Sequence, residues 1–342
     1  MSFTYFPDHQ MLAEAVSSTL MFLQGGLTAV WGVLDRLFLD PASMISLTSL
    51  VCALAVAVGV LVWRRRRRRG RSPGLRLLAR ALFPRSLFKS KTGGTDAFYV
   101  AFNTLVLSAA FGWALVSGGW WSQLVRDALT ETFGAPALAW PYWLMAGLAT
   151  LIVFLAYELG YWIDHWSSHR FPALWEFHKT HHSAERLTPI TVFRVHPGEM
   201  VKFANILALF MGLANGAATW AFDGVGGVMI SGTNVILIVF VYMFLHLQHS
   251  QVWITFPGVL GRVFMSPAHH QIHHSINAEH YDRNFGACLC VWDRLFGTYY
   301  SPSAIPQRLR FGLVGEPPGS GGVTGLLIDP FTRFAQRLLA RS

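Results

Sequence analysis

Long apolar runs separated by short polar and charged stretches dominate the pattern of this chain. A helix crossing the hydrocarbon core needs about 20 mostly apolar residues, because lipid offers no partners for unpaired backbone N–H and C=O groups. Five segments meet that demand: Met44 to Trp63, Phe98 to Gly118, Tyr142 to Tyr161, Val201 to Phe222 and Val228 to Leu247. A sixth, Ala15 to Leu34, is long enough but contains Gln24 and paired glycines, so it either spans or lies in the interface.

Composition agrees with the pattern. Of 342 residues, 53% are hydrophobic, 14% aromatic and only 13% charged, too little charge to cover a soluble surface of that size. The net charge of +9 raises the question of nucleic acid, but the charge is local. No acidic residue lies between Asp40 and Asp96, and that stretch holds 12 of the 27 Lys and Arg residues. Arg64 to Arg69 directly follow the apolar run ending at Trp63, so the positive-inside rule makes this loop cytoplasmic, with contact to anionic lipid but not to nucleic acid. The loop from Gly119 to Trp140 then falls outside, and the chain returns to the cytoplasm near Tyr161 and again near His246. Three cysteines, Cys52, Cys288 and Cys290, have no CxxC and no regular spacing, which excludes a disulfide framework or zinc ribbon. With no Lys or Arg before Arg36, the N-terminus lacks the basic region of a secretory signal and reads as mature sequence.

Both return points are where histidines begin. Of the 14 histidines, all but His9 lie between His165 and His280. The first group is His165-Trp-Ser-Ser-His169, continuing the preceding span, and i and i+4 side chains share one helical face. The second is His178-Lys-Thr-His181-His182, whose adjacent last pair diverges so that one could serve each of two ions. The third, His246-Leu-Gln-His249, ends the last span, where helix-end geometry favours His249. The fourth is His269-His270-Gln-Ile-His273-His274, in which His270, His273 and His274 repeat the HxxHH pattern and His269 is a neighbour. His196 and His280 stay undecided. These donors are too many for one metal and enough for two.

Imidazole suits iron, zinc, copper and nickel alike. A hydrolytic zinc site is usually signalled by HExxH, which is absent. An all-imidazole iron pair facing a membrane instead suits oxygen activation against an unactivated C–H bond. The expected fold is all-α, a multi-pass transmembrane bundle of five or six apolar segments with a cytoplasmic histidine-rich helical cap holding a di-metal site. Residues 1–97 would supply N-terminal membrane segments and the basic loop, and 98–300 the catalytic membrane domain. Residues 301–342 would form a Pro- and Gly-rich loop followed by a basic amphipathic helix on the membrane surface.

The residues also resemble a known family. Tyr161-Trp162 leads into HxxxH; then come Trp175-Glu176-Phe177-His178-Lys179-Thr180-His181-His182-Ser183 and Phe193-Arg194-Val195-His196-Pro197. His249-Ser250 and Ser266-Pro267-Ala268-His269-His270-Gln271-Ile272-His273-His274-Ser275 follow. Asn284-Phe285-Gly286 and Trp292-Asp293-Arg294-Leu295-Phe296-Gly297-Thr298 close the series. From about Glu158 to Tyr300 this order is similar to the fatty acid hydroxylase and sterol desaturase superfamily of membrane non-haem di-iron enzymes.

The resemblance implies that His165, His169, His178, His181, His182, His249, His270, His273 and His274 bind two iron ions, with His246 and His280 as further candidates. Asn284 would organise the site rather than bind lipid. Glu158 stands where many relatives carry Asp, a position suited to supporting the ligands. The resemblance further implies O2 as co-substrate, a lipid substrate in the bilayer, and electrons from NAD(P)H through an external reductase and a small carrier protein. Hydroxylation and desaturation share the first hydrogen abstraction, and the substrate stays open among sterols, acyl chains and polar lipids. The location would be the bacterial inner membrane or the endoplasmic reticulum, with the active site facing the cytoplasm. Trp162, Trp166, Trp175 and Phe177 could line a lipid entrance or form an interfacial aromatic belt. Two other classes compete. A metal transporter or storage protein without oxidase activity would line a path across the bilayer with histidines, and a haem-binding electron carrier would pair them inside facing spans.

Overall fold

The structure is a computed structural model that describes residues 21, 24–25, 28, 30–84, 91–104, 116–136, 138, 140–315 and 322–340. It is mostly helical. The helices used below are α1 (Leu47–Arg69), α2 (Leu75–Leu82), α3 (Lys91–Phe102), α4 (Gly118–Phe133), α5 (Tyr142–Arg170), α6 (Pro172–His182) and α7 (Pro197–Ala221). After a two-stranded hairpin, β1 (Met229–Ile230) and β2 (Thr233–Asn234), come α8 (Val235–Gln248), α9 (Gly258–Val263), α10 (Pro267–His273), α11 (Val291–Leu295) and α12 (Gly322–Leu339).

Helix ends follow local chemistry. Ser46 caps α1, its hydroxyl accepting from the Ser49 amide at 3.2 Å, and Gly70 at φ +66° ends it. Proline opens α6 and α7 at Pro172 and Pro197, where its missing N–H costs nothing. Ser231 and Gly232 both have positive φ, +47° and +77°, the backbone of a tight hairpin turn.

Among the described residues three helices, α1, α5 and α7, are long and apolar enough to cross a membrane. In α7, at a mean hydropathy of 1.4, few residues of the most apolar stretch are fully buried and most are half-buried, packed on one side against α4 and α5. The expected span from Phe98 to Gly118 is described only at its ends, since 105–115 lie outside the described residues. So do His9 and most of Ala15 to Leu34. The span expected from Val228 to Leu247 is shorter than the sequence suggested. The hairpin uses its first residues, and α8, from 235 to 248, is about 21 Å long against a core of about 30 Å.

The loop expected between Gly119 and Trp140 instead contains α4, packed along α7. A Cβ at Gly212 would stand 2.6 Å from the Gly118 carbonyl oxygen, and one at Gly216 2.4 Å from that of Ser122. Small residues thus let the two backbones touch. Helix α5 is a single element of 29 residues, about 44 Å long, so it leaves the apolar run and carries straight on to His165 and His169.

Helix α12 does not lie free on a surface. Pro330 has no N–H to offer the Leu326 carbonyl one turn back. That oxygen accepts instead from Tyr99 Oη at 3.1 Å and Thr180 Oγ1 at 3.3 Å, and the Leu327 oxygen bonds to His196 Nε2 at 3.0 Å. Phe331 and Phe334 pack on Phe177, and Arg337 pairs with Glu176 at 3.2 Å. The tail helix is therefore docked on α6, next to the histidines.

Candidate metal centre

Nine of the histidines fall into two groups. His165 and His169 at the end of α5, His178 and His182 on α6, and His273 on α10 form the first. His181 on α6, His249 just after α8, His270 on α10 and His274 directly after it form the second. Within each group the ligand atoms lie within 4.8 Å of one another. The i,i+4 pairs stay together, while the adjacent pairs His181/His182 and His273/His274 are split between groups, as divergent neighbours on a helix must be.

Distances within the groups test whether metal fits. In the second group the Nε2 atoms of His249, His270 and His274 form a closed triangle, with sides of 3.0, 3.1 and 3.1 Å. His181 Nε2 stands 3.2 Å from that of His249. In the first group, His182 Nε2 is 3.1 Å from both His178 Nε2 and His273 Nε2. A closed triangle of ring nitrogens is not a hydrogen-bond pattern, since each N–H needs one nearly linear acceptor. Two nitrogens bound at right angles to one ion at about 2.1 Å would be about 3 Å apart. The cradle is shaped for metal.

On five of the nine histidines the opposite ring nitrogen is spoken for. His165 Nδ1 donates to Phe285 O at 2.9 Å, His273 Nδ1 to Arg283 O at 2.9 Å and His181 Nδ1 to Arg194 O at 3.2 Å. His178 Nδ1 contacts the Glu199 carboxylate, and His169 Nδ1 lies 3.5 Å from Asp282. With Nδ1 carrying the proton, the Nε2 lone pair of these five is left for an ion, and each of these rings is held in place. Burial, and for His181 the neighbouring His178, hold the imidazoles of His178, His181 and His273 down to about 3. Burial and then adjacent imidazoles push His182, His249, His270 and His274 well below the ordinary histidine range. All are neutral near pH 7, as metal ligands must be.

A single loop serves the first group. Asp282, Arg283 and Phe285 present a carboxylate and two carbonyls to three of its histidines. Positive φ at Asp282 and Asn284, +55° and +59°, lets so short a segment aim them all. Asp293 anchors it, accepting from the amides of Phe285 (2.8 Å) and Gly286 (2.9 Å), Trp162 Nε1 (3.1 Å) and Thr298 Oγ1 (2.6 Å). Glu158 accepts from the Cys288 and Leu289 amides at 3.1 and 2.8 Å, so it supports this loop's far end rather than a histidine.

Asn284 uses its amide on His269 O (3.2 Å), Tyr300 O (3.0 Å) and the Tyr300 N–H (2.8 Å), which makes it a positioning residue that ties the loop to α10, and not a catalytic one. His246 and His280 are corrections to the sequence reading, since neither joins a group. The His246 ring is tied to Met44 O at 2.7 Å and Pro189 O at 3.4 Å, fastening α8 to the start of α1. His280 is 1% exposed and packs edge-on against Tyr300, ring centroids 5.0 Å apart. His196 and His269 also resolve. The first caps α7 and docks α12, and the second closes the capping box of α10 with Ser266. Trp162 and Phe177 are internal, at 5% and 7% exposure, so neither lines an entrance nor belongs to an interfacial belt.

A cleft of about 550 Å³ opens onto the first group. Its walls include Trp175, His169, His182 and His273, together with Lys179 and Arg337. Sequence reasoning gave no role to Glu199, Asp282 or Asp293. The available signals were Glu199 three residues after His196, and Asp293 within the Trp292-to-Thr298 motif.

Residues 150–298 match the family model for fatty acid hydroxylase. The chain is 29% identical over 221 residues to the ornithine lipid hydroxylase OlsE of Rhizobium tropici, covering 60% of this chain and 59% of that protein. It is 26% identical over 176 residues to the alkylglycerol monooxygenase of Danio rerio, covering 51% and 33%. Against the human alkylglycerol monooxygenase it is 26% identical over 161 residues, covering 47% and 32%. The chain thus spans between about a third and three fifths of the length of these curated relatives. No solved structure matches it.

Proposed function

We propose that the protein, whose residues 150–298 match the family model for fatty acid hydroxylase, is a multi-pass integral-membrane di-iron oxidoreductase that uses O2 to hydroxylate, or desaturate, a membrane lipid. The observation that carries this reading is the pair of buried groups of neutral imidazoles with convergent Nε2 atoms. Nine nitrogen donors without a carboxylate among them suit two iron ions. Those ions would supply oxygen activation against an unactivated C–H bond. The chain's own residues do the rest. His165, His169, His178, His182 and His273 would hold one ion, and His181, His249, His270 and His274 the other. Glu199 and the 282–286 loop keep the rings of the first group oriented, and eight of the nine histidines are buried, with the half-buried His169 facing the cleft.

A polar membrane lipid is the proposed substrate class, in line with the ornithine lipid and alkylglycerol in the relatives' names. Electrons would come from NAD(P)H through an external reductase and a small carrier protein. The active site faces the cytoplasm in this proposal. Helix α1 runs alongside α8 in the same direction, Met44 meeting His246 and Ala57 and Val60 packing with Leu247 and Val252. By the positive-inside rule the end of α1 that carries Arg64 to Arg69 faces the cytoplasm in this proposal. Histidines gathered at helix ends do not form a path through the bilayer, which disfavours a transporter.

The test is metal analysis of the detergent-purified protein, followed by turnover with reductase, NAD(P)H, isotopically labelled O2 and membrane lipid extract. About two irons per chain and a lipid carrying the label, or a new double bond, are expected. A protein with no bound transition metal would overturn the proposal.

A further inference from the structure

One member of the second histidine group, His181, is oriented partly from outside the matched residues 150–298. His181 Nδ1 donates to the carbonyl of Arg194. Arg194 sits at the centre of an inverse γ-turn, with φ −74° and ψ 71° and the Val195 amide bonded back to Phe193 O at 2.8 Å. That turn swings the Arg194 carbonyl out of the chain direction and toward His181. A γ-turn has one internal hydrogen bond, so its position depends on what grips it.

Helix α3 and the residue after it supply the grip. Asn103 Nδ2 donates to the carbonyls on both sides of the turn, Phe193 O at 2.9 Å and Val195 O at 3.1 Å. Asp96, 0% exposed, accepts the Arg194 Nε–H at 2.6 Å through one oxygen and the hydroxyls of Thr188 and Thr191 at 2.7 Å each through the other. Arg194 Nη2 donates to Thr92 O at 2.7 Å, and Nη1 to Ser183 Oγ at 3.1 Å at the end of α6. The same guanidinium thus ties the turn both to α3 and to the helix that carries His181. Asp96 and Asn103 lie outside residues 150–298.

We infer that Asp96, Asn103 and Arg194 are positioning residues for the second metal-binding group, fixing the Nδ1–H tautomer and the ring orientation of His181. The inference rests on the metal-centre reading but not on the substrate or the reaction. Loss of an outer hydrogen-bond partner typically weakens metal binding roughly 10–100-fold. That loss should fall on the ion held by His181, His249, His270 and His274 and spare the other.

The test uses full-length, detergent-purified protein loaded anaerobically with ferrous iron, with iron per chain followed through a chelator titration and melting temperature recorded alongside. Asn103→Ala removes both carbonyl contacts yet keeps the Asp96–Arg194 pair, so the fold is retained. Asp96→Asn weakens the pair itself. Both variants should release one of two ions at roughly 10–100-fold lower chelator than wild type while the other stays. Thr188→Val takes one hydroxyl from Asp96 without touching the turn, and it should lower the melting temperature while keeping both ions. Wild-type chelator resistance in Asn103→Ala, or iron retention that merely tracks melting temperature across the three variants, would overturn the inference. Wild type without bound iron would overturn the metal reading and this inference together.

Discussion

Replacing Asp293 should loosen the first metal group through a loop rather than through a ligand. One carboxylate oxygen takes three donors, the Phe285 amide, Trp162 Nε1 and Thr298 Oγ1, and the other takes the Gly286 amide. Asp293→Asn can keep its oxygen toward the three but must then turn its NH2 toward the Gly286 N–H. One stranded amide and the lost charge assistance cost about 2 kcal/mol, whereas Asp293→Ala strands all four donors and costs about 4 kcal/mol or more. The same loop presents Phe285 O to His165 and Arg283 O to His273, so its displacement should weaken iron binding at the first group by roughly 10-fold in the Asn variant and more in the Ala variant. The assay is chelator titration and thermal melting of each variant in a His249→Ala background, which disables the second group and leaves the first to be read alone. An Asn variant that melts and holds iron like its parent would refute the claim that Asp293 acts on the metal through this loop.

Three further outcomes follow from the same geometry. Glu199→Gln keeps an acceptor for His178 Nδ1 but removes its charge, and should weaken iron binding roughly 10-fold with little change in melting; unchanged chelator resistance would count against a role for the carboxylate. His246→Ala should leave iron per chain at the wild-type value while costing about 1–2 kcal/mol, because the ring joins α8 to Met44 O and not to an ion; loss of iron would return it to the ligand set. The chelator-treated protein should lose stability as pH falls. His273 has a folded value of about 3 against an ordinary 6.5, so protons are taken up only on unfolding between those values; stability is whole above pH 6.5 and drains away toward pH 3, and a flat melting temperature over that window would contradict it.

Periodicity carried much of this site. Spacings of four residues placed His165 with His169, His178 with His182 and His270 with His274, adjacency separated His181 from His182, and the three-residue pairs His178/His181 and His270/His273 are split between the groups. Helix α5 was legible because one apolar run flows without a breaker into HxxxH. Other features depend on contacts between distant residues that no local pattern encodes. His246 has ligand-like spacing to His249, yet its ring is claimed by a carbonyl 202 positions earlier. Asp293 and Glu158 work on a loop that only the folded chain brings to them, the latter across 130 residues. Hydropathy also misjudged Val228 to Leu247, since it cannot distinguish an apolar hairpin from the first turns of a span.

The proline in α12 bears on how the protein is assembled. A helix that withholds its own backbone partner from Leu326 and leaves Leu327 to His196 is complete only when Tyr99, Thr180 and His196 are already in place to receive it. It is also translated after every histidine of both groups. The ribosome therefore delivers all nine donors before it delivers the wall that carries Arg337 beside them. During synthesis the histidines are therefore present while the side that α12 covers is still open.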